Sequence, residues 1–236
     1  MCISQLGSVG AGATSHHTVD EPVPAVPSER NAAMDTFKIG YFVGSLASNS
    51  INRVLSKALI SVAPSELEFH EIAIKDLPLY SSDYDADFPP AGRELKDAIA
   101  ASDGILFVSP EYNRSIPGAL KNAIDWGSRP WGTNSFARKP TGIIGASPGG
   151  IGTAVMQSSM RSVLSFLDAP QLNAPEAYIR FVADAYDDDG SVKDEGTAAL
   201  LRHYMEEYSA FVQRVLAANA PGHIGDQEPD SAKLTR

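Results

Sequence analysis

Ser109-Pro110-Glu111-Tyr112-Asn113-Arg114-Ser115-Ile116-Pro117-Gly118-Ala119-Leu120-Lys121-Asn122-Ala123-Ile124-Asp125-Trp126 is the stretch that decides how this chain reads. An apolar run, Gly104 to Val108, leads straight into it, so the segment reads as a loop between a strand and a helix. A Tyr and an Asn just past a strand's carboxyl end can meet a flat heteroaromatic ring, Tyr112 by stacking and Asn113 by polar contact. Glu111, Arg114 and Ser115 stand where they would shape the rim of such a pocket. Pro117 is expected to open the helix at its first position, where a missing N–H costs nothing. Tyr112 reads as a ligand contact rather than a surface aromatic packed on a neighbouring loop, and Trp126 as a core anchor. Lys121 and Asp125, four apart on one helix, can form an exposed ion pair.

Outward from this stretch the pattern alternates. Strands are predicted over 37–43, 66–74, 104–108, 141–146 and 177–182, and helices over 50–62, 91–101, 117–127, 151–167 and 194–217. Strand–helix alternation predicts an α/β fold: a doubly wound, five-stranded parallel sheet with helices on both faces, in the order 2-1-3-4-5. Ligands of such sheets sit outside the carboxyl ends of the strands where the order reverses, between the first strand and the third. The loops that follow those two strands are Gly44–Arg53 and the stretch quoted above.

The first of these, Gly44-Ser45-Leu46-Ala47-Ser48-Asn49-Ser50-Ile51-Asn52-Arg53, is dense in hydroxyls and amides. Side-chain donors and the free amides of a helix N-terminus would converge there, which is how a protein cradles a phosphate without net positive charge. Read alone, the loop is better explained as a helix cap, although five such residues in eight positions exceed what one cap requires. A third loop, Ser147-Pro148-Gly149-Gly150-Ile151-Gly152-Thr153, follows the fourth strand; its glycines let backbone approach a ligand, or simply reverse the chain. There is no Gly-x-x-x-x-Gly-Lys-Ser/Thr loop for nucleotide hydrolysis and no Gly-x-Ser-x-Gly elbow.

At 236 residues and 43% hydrophobic content the chain can bury one substantial core. Residues 1–35, rich in Gly, Ser, Ala and Pro, read as a flexible extension, 36–218 as the folded domain and 219–236 as a flexible tail. Lys+Arg number 19 against 29 Asp+Glu, a net charge of −10, which disfavours nucleic acid and anionic lipid as partners. No apolar run reaches the ~18 residues that span a bilayer, and no membrane insertion is expected. The single cysteine, Cys2, and the lack of a basic residue before Arg30 suit a cytoplasmic protein. No metal site is expected: the histidines are scattered apart from His16-His17, and Asp187-Asp188-Asp189-Gly190 reads as a solvated turn.

Residues 109–126 as a whole resemble the Pro-Glu-Tyr-Asn…Pro-Gly-x-Leu-Lys-Asn-Ala…Asp-Trp signature of the NADPH-dependent FMN reductase family, which includes quinone, azo-dye and chromate reductases. The resemblance extends to the first loop, where the family has Gly-Ser-x-Arg-x-x-Ser-x-Asn, and to Ser-Pro-Gly-Gly-x-Gly in the third. It implies a flavodoxin-like fold and an enzyme with FMN as cofactor and NADPH or NADH as electron donor. A ping-pong hydride mechanism would serve quinones, azo compounds, flavins or oxyanions such as chromate. The cofactor-binding set it implies here is Gly44, Ser45, Ser48, Ser50, Ile51 and Asn52 in the first loop. Pro110, Glu111, Tyr112 and Asn113 follow in the second, and Ser147, Gly149 and Gly150 in the third. No side chain is expected to act as nucleophile or obligatory acid. Ala47 stands where the family has Arg, which removes a charge-assisted contact to the flavin phosphate or the nicotinamide nucleotide; Arg53 lies further into the helix. The family also implies a homodimer or homotetramer. The helix after Pro117, with Leu120, Ile124 and Trp126, and Trp131 beyond it, offers apolar surface for that purpose. The alternative is a flavodoxin-like electron carrier or flavin-binding regulatory module that never meets NAD(P)H.

Overall fold

In the computed structural model, which describes residues 36–220 except Asp188, five strands pair in the order β2-β1-β3-β4-β5, every pair parallel. They are β1 (Phe37–Val43), β2 (Leu67–Glu71), β3 (Gly104–Val108), β4 (Thr141–Ser147) and β5 (Tyr178–Arg180). The helices are α1 (Ile51–Val62), α2 (Pro90–Ala100), α3 (Gly118–Gly127), α4 (Ala154–Phe166) and α5 (Glu195–Asn219). This is the doubly wound, flavodoxin-like arrangement that the alternation predicts. The run Gly104–Val108 is apolar at every position because β3 lies at the centre of the sheet and is buried along its whole length.

Side-chain alternation along β3 divides the core in two. Ile105 and Phe107 point into a cluster with Phe42, Leu95 and Ile99 of α2, Leu120 and Ile124 of α3, and Met156 and Met160 of α4. Leu106 and Val108 point the other way, into Leu55 and Leu59 of α1 and Leu201, Tyr204 and Tyr208 of α5. Each strand hands the chain to its helix at the sheet's carboxyl edge, so the loops after β1, β3 and β4 open on one side of the molecule.

Several boundaries differ from expectation. β2 stops at Glu71 rather than at 74, since its last ladder partner is Tyr41; Ile72 and Ile74 turn into the core instead. β5 has three residues and borders only the end of β4. Residues 151–153 are turn, not helix, and α4 begins at Ala154. Pro117 is the N-cap of α3, in extended backbone with ψ 138°, and not its first helical residue. α5 runs on to Asn219, whose side-chain amide donates to the Arg138 carbonyl oxygen at 2.8 Å, so the expected tail loses that residue to the domain. The rest of the expected tail past Ala220 and the 1–35 extension lie outside the described residues.

Trp126 is a core anchor as expected: fully buried, it donates from Nε1 to the Pro78 carbonyl oxygen at 2.7 Å and meets the rings of Tyr80 and Phe88 edge-on. The apolar surplus expected on α3 is absent, because Leu120, Ile124 and Trp126 all pack within the chain. Trp131, named with them, is 76% exposed as expected, and Phe166 beside it is 71% exposed.

Candidate functional site

The loops after β1, β3 and β4 enclose a cavity of about 220 Å³ at the topological switch point between β1 and β3. Of the residues predicted from sequence, Ser45, Ser50, Ile51, Asn52, Pro110, Glu111, Tyr112 and Ser147 line it; Ala47, Ala146 and Pro148, which were not in the predicted cofactor-binding set, line it too. Gly44, Ser48, Asn113, Gly149 and Gly150 do not. A hollow of about 250 Å³ elsewhere, between β2 and α2, is rimmed by Glu71, Asp76 and Glu94; Glu71 is already engaged by Arg53.

Cross-braces hold the loops to one another. The Asn52 carboxamide, fully buried, donates to the Ala146 carbonyl oxygen at 3.0 Å and accepts from the Ala146 amide at 2.9 Å. That exchange pins the start of α1 to the end of β4 and leaves the carboxamide one N–H to spare. Ser45 and Tyr112 join the first loop to the second through their hydroxyls, 3.2 Å apart. Glu111 joins the second to the third: its Oε2 accepts from the amides of Val155 and Met156, each at 3.0 Å. Glu111 is therefore a cap for α4 as well as a lining residue of the cavity. Gly44 and Gly145 flank Ser109, and a Cβ on either would collide with it, so Gly44 serves the approach of strands.

The second loop ends in a tight reversal. Tyr112 and Ser115 exchange backbone hydrogen bonds of 3.1 and 3.0 Å, and Asn113 and Arg114 between them take the left-handed conformation, φ 52° and 61°. The turn presents Tyr112 with its ring 49% exposed and its hydroxyl held by Ser45. In the third loop Gly149 and Gly150 are exposed, and the Gly149 amide already donates to Ser147 Oγ at 3.1 Å. Ser48 lies exposed outside the cavity, and Arg53 is drawn off to Glu71 by two hydrogen bonds of 2.7 and 2.8 Å.

The electrostatics of the cavity come from helix ends. α1 has no acidic residue in its first turn and no side-chain cap, and Ser50 Oγ is buried there with no hydrogen-bond partner. An anion at that position would meet free amides, the positive end of a helix and a hydroxyl with nothing else to bond. The one charged residue lining the cavity, Glu111, is occupied by amides. Among the described residues no group of three or more His, Cys, Asp or Glu could hold a metal ion, and no helix is long and apolar enough to cross a membrane. The site offers an exposed aromatic ring, a helix end with free amides and an unpartnered hydroxyl, and no charged side chain other than the engaged Glu111.

The sequence model of the NADPH-dependent FMN reductases matches residues 37–184, which contain all three loops. The chain belongs to that family. The reductase is 49% identical over 176 residues to a 2-hydroxy-1,4-benzoquinone reductase of a Burkholderia species, covering 75% of this chain and 96% of that protein. It is 42% identical over 178 residues to a quinone reductase of Pseudomonas putida, covering 75% of this chain and 95% of that one. Among solved structures it resembles FerB, a flavoenzyme NAD(P)H:(acceptor) oxidoreductase from Paracoccus denitrificans, with a TM-score of 0.74 and 44% identity. That match covers 76% of this chain and 98% of that one. The reductase is thus an FMN-dependent oxidoreductase with NAD(P)H as electron donor. The residues present fit that cofactor: the orphaned Ser50 hydroxyl at the α1 terminus suits a phosphate, and the half-exposed Tyr112 ring suits a flat heterocycle.

Proposed function

We propose that the reductase holds FMN in the three-loop cavity and passes a hydride from NAD(P)H to a quinone-type acceptor. The observation that carries this is the unpartnered, buried Ser50 hydroxyl at an α1 N-terminus free of acidic residues, on the same cavity as Tyr112. In this reading Ser45, Ser50 and the first amides of α1 hold the phosphate end, and Pro110, Tyr112 and Asn113 meet the ring. Ser147 and the open Gly149-Gly150 turn border its far edge. Asn52 acts at one remove, by fixing Ala146. FMN when bound supplies the two-electron chemistry, taking up a hydride and releasing electrons to an acceptor. The chain's part is to bind, orient and shield. Because one open face has to admit donor and acceptor in turn, the kinetics are ping-pong. The name of the Burkholderia relative favours a benzoquinone acceptor, and that of the Pseudomonas relative a quinone, over azo compounds, free flavins or chromate. With Ala47 uncharged and Arg53 bound to Glu71, the first loop offers no cation to a 2′-phosphate, so NADH and NADPH serve comparably.

Self-association belongs to the same reading. Trp131 and Phe166, ring centroids 6.4 Å apart, stand exposed near the Lys121–Asp125 pair, which offers both signs of charge to a symmetry-related copy. A scattering mass of 25.1 kDa for fully active protein would refute it.

The test of function is a spectrum. Purified protein should show flavin absorbance near about 450 nm, bleach anaerobically with NADH or NADPH, and recover with benzoquinone. Parallel double-reciprocal plots should follow. Colourless protein whose melting temperature does not rise with excess FMN would sink the reading, since a ligand of the native state must stabilise it. Flavin that NAD(P)H fails to bleach would favour an electron carrier or regulatory module.

A further inference from the structure

Two helix N-termini, those of α1 and α4, open beside the cavity, and by the physics of helix ends either could take an anion. Only one is left open. At α4 the side chain of the cap residue Thr153 does not cap the helix, its hydroxyl accepting from Gln157 Nε2 at 3.1 Å, and the amides of Val155 and Met156 are instead taken by Glu111, which comes from the loop after β3. The Glu111 side chain is 8% exposed, while its other oxygen meets Arg114, 68% exposed, at 3.2 Å. A carboxylate so enclosed is tolerable because two amides, a guanidinium and a helix terminus satisfy it together. Arg114 in turn occupies the left-handed turn that carries Tyr112.

Resting on the flavin reading above, we propose that Glu111 is a positioning residue for the bound cofactor. Its carboxylate fills the α4 terminus and so directs the phosphate to α1. The same bonds fix the Tyr112 turn relative to the loop that begins α4, setting the width of the slot for the ring. Glu111 itself touches neither donor nor acceptor.

The test measures amide exchange in the flavin-free protein and dissociation constants for both FMN and riboflavin, in the parent and in Glu111→Ala, Glu111→Gln and Arg114→Ala. Glu111→Ala should lose protection at Val155 and Met156, and inorganic phosphate should restore it, whereas phosphate leaves the parent's protection there unchanged. Both flavins should bind about tenfold more weakly. The losses should match, because the ring slot is what has loosened and riboflavin carries no phosphate. Glu111→Gln, which keeps an oxygen for the amides, should restore protection and recover most of the affinity. Arg114→Ala, which breaks only an exposed contact, should change binding less than about twofold. Should Glu111→Ala not fold, Glu111→Gln decides: flavin binding weakened about tenfold or more while the Val155 and Met156 amides stay protected and insensitive to phosphate overturns the proposal, because the brace is then intact and the affinity is lost all the same. So does unchanged flavin binding by a folded Glu111→Ala. A parent that binds neither flavin overturns the flavin reading and this proposal with it; a parent that binds beside a variant that binds equally overturns the positioning role alone.

Discussion

The N-termini of α1 and α4 start from the same edge of the same sheet and are finished in opposite ways. α4 receives a carboxylate from the chain itself, Glu111, at 3.0 Å from two of its amides. α1 receives nothing: no acidic residue in its first turn, no side-chain cap, and a buried Ser50 hydroxyl with no partner. A helix end favours an anion, so the end where the protein withholds its own carboxylate is the one with capacity left for another. The contrast also separates two uses of polar side chains at one cavity. Asn52 and Glu111 brace loops, while Ser50 and Tyr112 are left with something to offer.

The largest expected effect is on the brace behind the open end. Asn52→Ala strands the amide and carbonyl of Ala146 in a buried place and should cost about 3 kcal/mol of stability. In a domain of this size that lowers the melting temperature by roughly 6–12 °C, readable by calorimetry. A drop of one or two degrees would mean that the α1 terminus is not held by this exchange. Next comes Ser50→Asp, which gives α1 the internal carboxylate that α4 already has. FMN should then bind about ten- to a hundredfold more weakly, roughly 1.4–2.8 kcal/mol, while the flavin-free protein melts no lower than the parent. Unchanged FMN affinity in titration would erase the distinction between the two ends.

Smaller effects sharpen the picture. Arg114, at φ 61°, holds a conformation that costs a side chain about 1 kcal/mol. Arg114→Gly relieves that strain and loses an exposed ion pair, so denaturant unfolding should find the variant equal to the parent or up to about 0.5–1 kcal/mol more stable. Clear destabilisation would show that the guanidinium's hold on Glu111 outweighs the turn. The smallest effect concerns Arg53, whose charge is drawn from the α1 end to Glu71. The hydrogen bond from Arg53 holds the Glu71 carboxyl below its ordinary 4.5. A depressed folded value means stability that is present above the ordinary one and lost as the pH falls through the folded one. With side chains 40% and 34% exposed, the pair is worth little, so Glu71→Gln should cost about 0.5 kcal/mol at neutral pH. Parent and variant should converge on acidification; a gap that persists at low pH would assign the effect to packing.

Much of this was legible before any coordinates. The unbroken apolar run of β3 announces a strand buried on both faces, and alternation with amphipathic helices then limits the sheet to few orders. Loops dense in Ser, Asn and Gly after β1, β3 and β4 mark the cavity's edge because parallel strands all deliver their loops to one side. The division of labour inside those loops was not legible. That Asn52 also braces Ala146, 94 positions away, has no local signal. Glu111 reads only as rim because its partners lie 44 and 45 positions on. Leu120, Ile124 and Trp126 look surplus to one helix because Pro78, Tyr80 and Phe88, among their partners, come from a connection without hydrophobic period.

The sequence by itself determined the elements, their order, the family and the three loops that meet, since period, turn chemistry and motif are local properties of a chain. Only the tertiary structure decided which polar groups are consumed in joining those loops and which remain for a ligand. The reason is that a hydrogen bond between residues far apart in sequence leaves no local pattern, and a buried donor or acceptor must be satisfied by whatever the fold brings beside it.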